Sequence, residues 1–269
     1  MEYKLSAIIP CFNHGQYLPE ALASLDNSPK RDQIEVIIIN DGSTDEFTND
    51  YIAGLDTNKY VIINQENLGL AKARNNGILT AQADFVLMLD ADNYVEEVFL
   101  TDFFNLIQTN QSFDALYGDA RFFGEVNKVQ VQGEIDLLKL LKDNHIDACA
   151  IFNKITLINL GLYDDMMPVM GWEDWDLWLK LSFNDAKIIY KSKVYFNYRF
   201  LNNSMIRTHN LERFNGTKIY LTSKHLHKNE NIMKIIKAYN FNYLSYKNLN
   251  SLYMLKFKKT FCNFCKSLI

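Results

Sequence analysis

Scarcity narrows the reading first. The 269-residue chain has only four cysteines, four prolines and eleven glycines. So few cysteines in a chain of this length do not make a disulfide framework. Cys11 and Cys149 stand in separate apolar contexts and read as buried filling. Cys262 and Cys265 form a lone CxxC without the second pair a zinc site wants, and read as filling beside Phe261 and Phe264. The low glycine and proline content excludes a collagen or a flexible-linker protein. No apolar run approaches the roughly 18 residues of a membrane span. Met1-Glu2-Tyr3-Lys4 leads straight into a strand-like segment, so no signal peptide is expected and the cytoplasm is the default compartment. A glycine-rich G-x-G-x-x-G after the first apolar segment is also missing. Pro10-Cys11-Phe12-Asn13-His14-Gly15 stands there instead, which weakens a dinucleotide-dependent oxidoreductase.

What is present describes a soluble globular protein: 48% apolar and 22% charged residues. A chain this long buries roughly three quarters of its unfolded surface and needs no metal or disulfide to fold. The net charge of −4 hides an asymmetry: residues 224–269 carry nine lysines against one glutamate, so the body is strongly acidic. An acidic body argues against nucleic acid as a partner. The basic tail interleaves its lysines with Tyr243, Leu244, Tyr246, Leu252, Tyr253 and Phe257. Such a segment suits peripheral contact with an anionic membrane surface, at its inner face, or a partner. It equally suits a helical pair on the body with a solvated lysine face.

Periodicity gives the organisation. Leu5-Ser6-Ala7-Ile8-Ile9-Pro10 reads as a strand stopped by Pro10, and Leu18, Leu22 and Leu25 mark a helix after it. Strands follow at 35–40, 60–63, 84–89 and 115–117, with helices over 70–80 and 95–108 between them. A turn at 41–45 offers Ser43 or Thr44 as a cap for a further helix. Apolar strands without polar alternation, separated by helices, predict an open, mostly parallel sheet built of Rossmann-like βαβ units. Ligands are expected outside the carboxyl ends of such strands, where Asp41 and Asp90 fall. Beyond residue 120 the pattern turns irregular. A hairpin over 121–132, a helix over 135–141, a short strand over 145–152, a helix over 173–182 and strands over 186–190 and 194–200 are expected. The division is therefore 1–120 for the donor-binding half, 121–220 for a fused acceptor-side subdomain and 221–269 for a helical extension.

Four clusters carry chemistry. Asp90-Ala91-Asp92 puts two mutually repelling carboxylates past a buried strand, a use that a divalent ion bridging to a diphosphate would explain. Asp41-Gly42-Ser43-Thr44-Asp45 works as a tight turn, and Asp41 can also accept from a base N–H or a ribose hydroxyl. Lys72 and Arg74 open the third helix and can meet phosphate or crevice acids, but they face different ways, and an ion pair is an equal account of Arg74. Gly69 and Ala73 at helical spacing suggest a close approach to the sheet. Gly171-Trp172-Glu173-Asp174-Trp175-Asp176 gathers three carboxylates and two tryptophans. Trp172 and Trp175 look like walls for a sugar ring. Asp174 shares a helical face with Leu177, Trp178 and Leu181, a firm mounting for a general base, and Trp178 reads as core. His209 is a lone candidate for a metal ligand or phosphate contact.

In order along the chain, these motifs resemble family 2 glycosyltransferases of the GT-A fold. Ile8-Ile9-Pro10-Cys11-Phe12-Asn13 resembles the family's first strand and loop. Residues 41–45 are similar to its nucleotide-binding turn and residues 67–77 to its third-helix signature. Asp90-Ala91-Asp92 is similar to its DxD motif and Glu173-Asp174 to its catalytic acid pair. The resemblance covers about residues 4–210. It implies an inverting, bacterial-type polysaccharide enzyme. Such an enzyme moves a hexosyl or N-acetylhexosaminyl group from a nucleotide-diphosphate sugar, commonly a UDP-sugar, to a hydroxyl of a glycan or glycolipid acceptor. It further implies donor contacts at Pro10, Asn13, Asp41, Lys72, Arg74, Asp90 and Asp92. Mn²⁺ or Mg²⁺ would sit on Asp92 and Asp90 with His209, acceptor contacts would come from Trp172 and Trp175, and catalysis would fall to Asp174 and Glu173. Where the family often has two acids, this chain has Asn40-Asp41. A nucleotidyltransferase or nucleotide-sugar pyrophosphorylase, and a non-catalytic nucleotide-sugar or glycan-binding module, are the alternative readings.

Overall fold

The computed structural model describes residues 2–200 and 211–226. The chain up to Leu211 forms one compact unit, and a second begins at Glu212. His209 and the basic tail beyond residue 226 lie outside the described residues.

The first unit opens with three strands, β1 (Leu5–Cys11), β2 (Ile34–Asp41) and β3 (Val61–Gln65), separated by helices α1 (Leu18–Asp26) and α2 (Glu46–Ala53). Helix α3 (Leu70–Thr80) leads into β4 (Phe85–Met88). All four strands are parallel, in the order β3-β2-β1-β4. Every residue of β1 and β2 is buried, as apolar strands covered on both faces must be. Pro10 does not stop β1. Its pairing with β4 ends at Ile8, so on that side Pro10 lies beyond the ladder, and the strand continues along β2 to Cys11. The closest approach of α3 to the sheet is at Gly77, one turn after the buried Ala73, where a Cβ would stand 2.3 Å from Ile8 Cγ2; Gly69 instead faces Met170. The cap of α2 is Asp45, whose carboxylate accepts the Thr48 N–H at 2.8 Å, not Ser43 or Thr44.

The sheet then changes character. After β5 (Tyr94–Val95) and α4 (Glu97–Gln108) come β6 (Ala115–Gly124) and β7 (Lys128–Gln130), the expected hairpin. Next are α5 (Leu137–Leu140), β8 (Ile151–Asn153) and α6 (Lys154–Asn159), then α7 (Glu173–Phe183) and β9 (Ile188–Phe200). The sheet order is β3-β2-β1-β4-β8-β6-β9-β5, with β7 on β6. β8 inserts antiparallel between β4 and β6, so the parallel run expected to extend into β6 is interrupted. The two strands expected at 186–190 and 194–200 are one strand, β9, which absorbs the polar Lys191-Ser192-Lys193 stretch through register shifts against β6 at Gly118, Asp119 and Ala120. The expected division at residue 120 falls inside β6, so the residues on either side of it share one sheet.

Of the second unit the described residues are those of α8 (Leu211–Leu226), a helix that starts at the boundary between the units. Among the described residues no helix is long and apolar enough to cross a membrane.

Candidate active site

The parallel strands deliver acids at their carboxyl ends. Asp41 closes β2, and its carboxylate accepts from Gln65 Nε2 at 2.7 Å and from the main-chain N–H of Leu68 at 2.8 Å and Gly69 at 3.0 Å. It thereby holds the loop that starts α3. Gly42 follows with φ +70°, and a Cβ there would meet Asn67 N at 2.5 Å, so the turn and this loop close on each other only with glycine. Asn13, itself at φ 56°, ties the loop after β1 to the same turn: its Oδ1 accepts the Thr44 N–H at 2.7 Å and the Asp45 N–H at 3.2 Å.

Asp90 and Asp92 follow β4 on a turn whose backbone is clamped from the other half of the sheet. Arg199 of β9 donates Nε–H to the Asp92 carbonyl at 3.1 Å, and its own N–H goes to Asn93 Oδ1 at 2.9 Å. The Arg199 guanidinium sits 4.5 Å from the centroids of both Tyr17 and Phe123. Burial, then the neighbouring Asp90 carboxylate, push the half-buried Asp92 carboxyl up to about 7, with Arg199 pulling the other way. His14 Nδ1 lies 4.0 Å from Asp92 Oδ2.

Arg74 joins the two ends of the site. It is 2% exposed and donates to Asp90 Oδ1 at 2.7 Å and to Glu173 Oε1 at 2.9 Å, with the Tyr163 ring 5.3 Å away. Burial alone would lower the proton affinity of the guanidinium, but Asp90, Tyr163 and Glu173 together raise it. The other Glu173 oxygen accepts the Gly171 N–H at 2.8 Å. Arg74 and Glu173 are engaged with each other, the ion-pair account that the sequence held open for Arg74, because a buried guanidinium requires matched carboxylates. Lys72 faces elsewhere and reaches Asp165 only at 3.9 Å.

Asp174 stands at the head of α7, half-buried, above the buried Leu177, Trp178 and Leu181, as the helical spacing predicted. Burial, followed by the Glu173 and Asp147 carboxylates, pushes it up to about 8. Asp147 is pushed up to about 7 by burial and then by Asp90. The Tyr198 phenol, raised first by burial, also feels Asp147, Asp90, Asp92 and Asp174. The acids from both halves therefore crowd one locality.

The tryptophans correct another expectation. Trp175 is 1% exposed and donates Nε1–H to the Leu140 carbonyl at 2.6 Å, so it seals α7 against α5 rather than walling a ligand. Trp172 is buried too, its ring centroid 5.7 Å from that of Trp175. Trp178 is core, as expected, and donates to the Asp147 carbonyl at 3.2 Å. Sequence reading missed Asp147, Asn144, Tyr163, Tyr198 and Arg199. None belongs to a motif, and only the position of Arg199 near the end of an apolar strand offered a signal.

Comparison with known proteins gives these residues a setting. The family model described as glycosyl transferase family 2 matches residues 6–155. Glycosyltransferase GlyA of Streptococcus pneumoniae is 30% identical over 125 residues, covering 45% of this chain and 17% of that protein. Poly-beta-1,6-N-acetyl-D-glucosamine synthase of Staphylococcus aureus is 26% identical over 190 residues, covering 65% and 46%. The chain spans less than half the length of the curated relatives it matches. Among solved structures, S. aureus TarS 1-349 in complex with UDP-GlcNAc superposes with a TM-score of 0.64 at 22% identity, covering 82% of this chain and 66% of that one. The UDP complex gives 0.63 at 21% identity, covering 84% and 66%. The fold is thus the GT-A-like fold that the motifs implied.

Proposed function

The chain belongs to glycosyl transferase family 2, and from that premise we propose that it transfers a sugar from a UDP-sugar to a hydroxyl of a glycan or glycolipid acceptor, inverting the anomeric centre, with Asp174 as general base. Membership in this family supports sugar transfer over the pyrophosphorylase and binding-module readings. The observation that carries the mechanism is the Arg74 bridge. One guanidinium touches Asp90 at the end of β4 and Glu173 beside Asp174, so the donor-end acids and the base lie within one side chain's span.

In the reaction, the acceptor oxygen attacks the anomeric carbon from the face opposite the diphosphate. The carbon–oxygen bond to the diphosphate breaks, the new glycosidic bond forms, and the acceptor proton passes to Asp174. A carboxylate raised to about 8 is a stronger base than an ordinary aspartate while remaining partly ionised near neutrality. Arg74 and Glu173 orient this end of the site. At the other end, Asp41 supports the loop against which the base and ribose would lie. The UDP-sugar class of donor is supported by the similar TarS structures, which are complexes with UDP and UDP-GlcNAc.

A divalent ion fits the donor end. Asp92, desolvated beside Asp90, is a hard-oxygen donor lacking a matched cation, the chemistry that Mn²⁺ or Mg²⁺ prefers. Among the described residues no group of three or more His, Cys, Asp or Glu converges, so an ion here would need further ligands from phosphate oxygens and water. Asp92 and Asp90 would hold it, and when bound it supplies charge stabilisation to the departing diphosphate.

The test separates binding from chemistry. Purified protein is screened with UDP-sugars, with and without Mn²⁺, for UDP release. Asp174→Asn should then lower turnover by at least about 100-fold while UDP-GlcNAc still binds. Unchanged turnover would reject Asp174 as base, and no release with any UDP-sugar would reject the donor class.

A further inference from the structure

The stretch between α5 and β8 crosses the site without regular structure, yet its main chain is pinned. Buried Gln132 donates Nε2–H to the Gly118 carbonyl at 2.7 Å and accepts the Asp147 N–H on Oε1 at 2.7 Å. The Gln132 N–H goes to Asp119 Oδ1 at 3.0 Å, which also accepts the Tyr190 hydroxyl at 2.7 Å. Midway along this strap stands Asn144. Its Nδ2 donates to Asp174 Oδ2 at 2.9 Å, and its Oδ1 accepts the Ile146 N–H at 3.4 Å. The second contact fixes the carboxamide: with the oxygen turned to its own chain, the NH₂ end faces Asp174. The reverse orientation would set two acceptors against each other. The other Asp174 oxygen accepts the Trp175 N–H at 2.8 Å.

We infer that Asn144 is a positioning residue: its amide holds the Asp174 carboxylate in one orientation and favours the ionised form that accepts the acceptor's proton. The inference rests on the reading of Asp174 as base. The groups that act on Asp174 come from each neighbouring element. Glu173 is on its own helix, Asp147 on the strap, and Arg74 on α3, with the Tyr163 phenol after α6 and the Tyr198 phenol on β9. Helix α5 meets α7 through the Leu140 carbonyl, and its Lys139 is exposed. Against four acidic or phenolic neighbours and one shared guanidinium, the Asn144 amide is a neutral side-chain donor bonded directly to the carboxylate. Its neutrality matters, since a cation there would pull Asp174 down to an ordinary, weakly basic carboxylate.

The test follows the Asp174 carboxyl carbon by carbon-13 NMR through a pH titration of the full chain, in the wild type, Asn144→Ala and the near-isosteric Asn144→Asp. Both variants should move the Asp174 titration upward by about one unit or more, Asn144→Asp further because it adds a like charge. The alkaline shift should reappear in the pH profile of UDP-GlcNAc turnover. An unmoved Asp174 titration in Asn144→Asp overturns the inference, whether or not Asn144→Ala folds. Failure of the base reading is seen separately, as full turnover in Asp174→Asn with the titration shift intact.

Discussion

The two halves of the sheet are built by different means. In β1 and β2 every side chain is buried, and the strands run in unbroken parallel register. Their position follows from apolar burial, which many side chains share. In β6 to β9 the strands are short or bulged, β8 runs antiparallel between its neighbours, and the connecting strap is fixed by single polar contacts from Gln132 and Trp178. The donor end thus rests on redundant packing, whereas the base end rests on individual hydrogen bonds. Errors at the first should be absorbed as lost stability, and errors at the second should reach the chemistry.

Several substitutions would break or sharpen that contrast. The largest stability effect is expected where the halves meet. Arg74→Met leaves Asp90 and Glu173 without their shared cation, a loss of about 3–5 kcal/mol for a broken buried pair and roughly 10 °C in Tm by thermal unfolding. A Tm within a degree of wild type would show that the bridge contributes little. Next comes a matched pair. Ile38→Val in the donor half should cost about 1 kcal/mol and leave turnover unchanged. Gln132→Ala, which strips the Asp147 N–H and Gly118 carbonyl of partners, should cost about 1–3 kcal/mol and also lower turnover. If both variants lost stability alone, the contrast between the halves would fail.

A separate prediction is a pH dependence. Asp147 and Asp174 have folded values of about 7 and about 8, above the ordinary aspartate value of the unfolded chain. Between roughly pH 4 and 8 the folded protein holds protons that the unfolded chain has released. Their contribution is fully present below that window and is lost as pH climbs through the folded values. Denaturant unfolding should therefore show stability falling across this window, less steeply in Asp174→Asn. An equal slope in the variant would contradict the raised value at Asp174.

The same division decides what could be read in advance. The third helix was expected over 70–80 and lies at Leu70–Thr80, and the first four strands fall within about two residues of expectation. Apolar period and turn chemistry suffice for such elements. The GT-A-like fold was likewise readable, because its motifs sit at the ends of these strands. The acceptor half was harder. The polar Lys191-Ser192-Lys193 stretch looked like a loop, yet it is carried by a bulged strand, because pairing with β6 compensates for the interruption. Trp175 looked like a ligand wall because its acidic neighbours suggested a site, but helix packing turned it inward onto Leu140. Asn144 and Gln132 had no signal at all, since a lone amide in an irregular segment has no period. Arg74 showed both possibilities in sequence, and the structure holds it in the ion pair with Asp90 and Glu173.

The central claim is that the acids at the end of β4 and Asp174 at the head of α7 address one donor from two sides. A crystal structure of this chain with Mn²⁺ and UDP-GlcNAc tests it most directly. The account predicts the uracil beside Asp41, the diphosphate and ion at Asp90 and Asp92, and the anomeric carbon turned toward Asp174. A donor bound with its anomeric carbon facing away from Asp174, or bound outside this crevice, would contradict it.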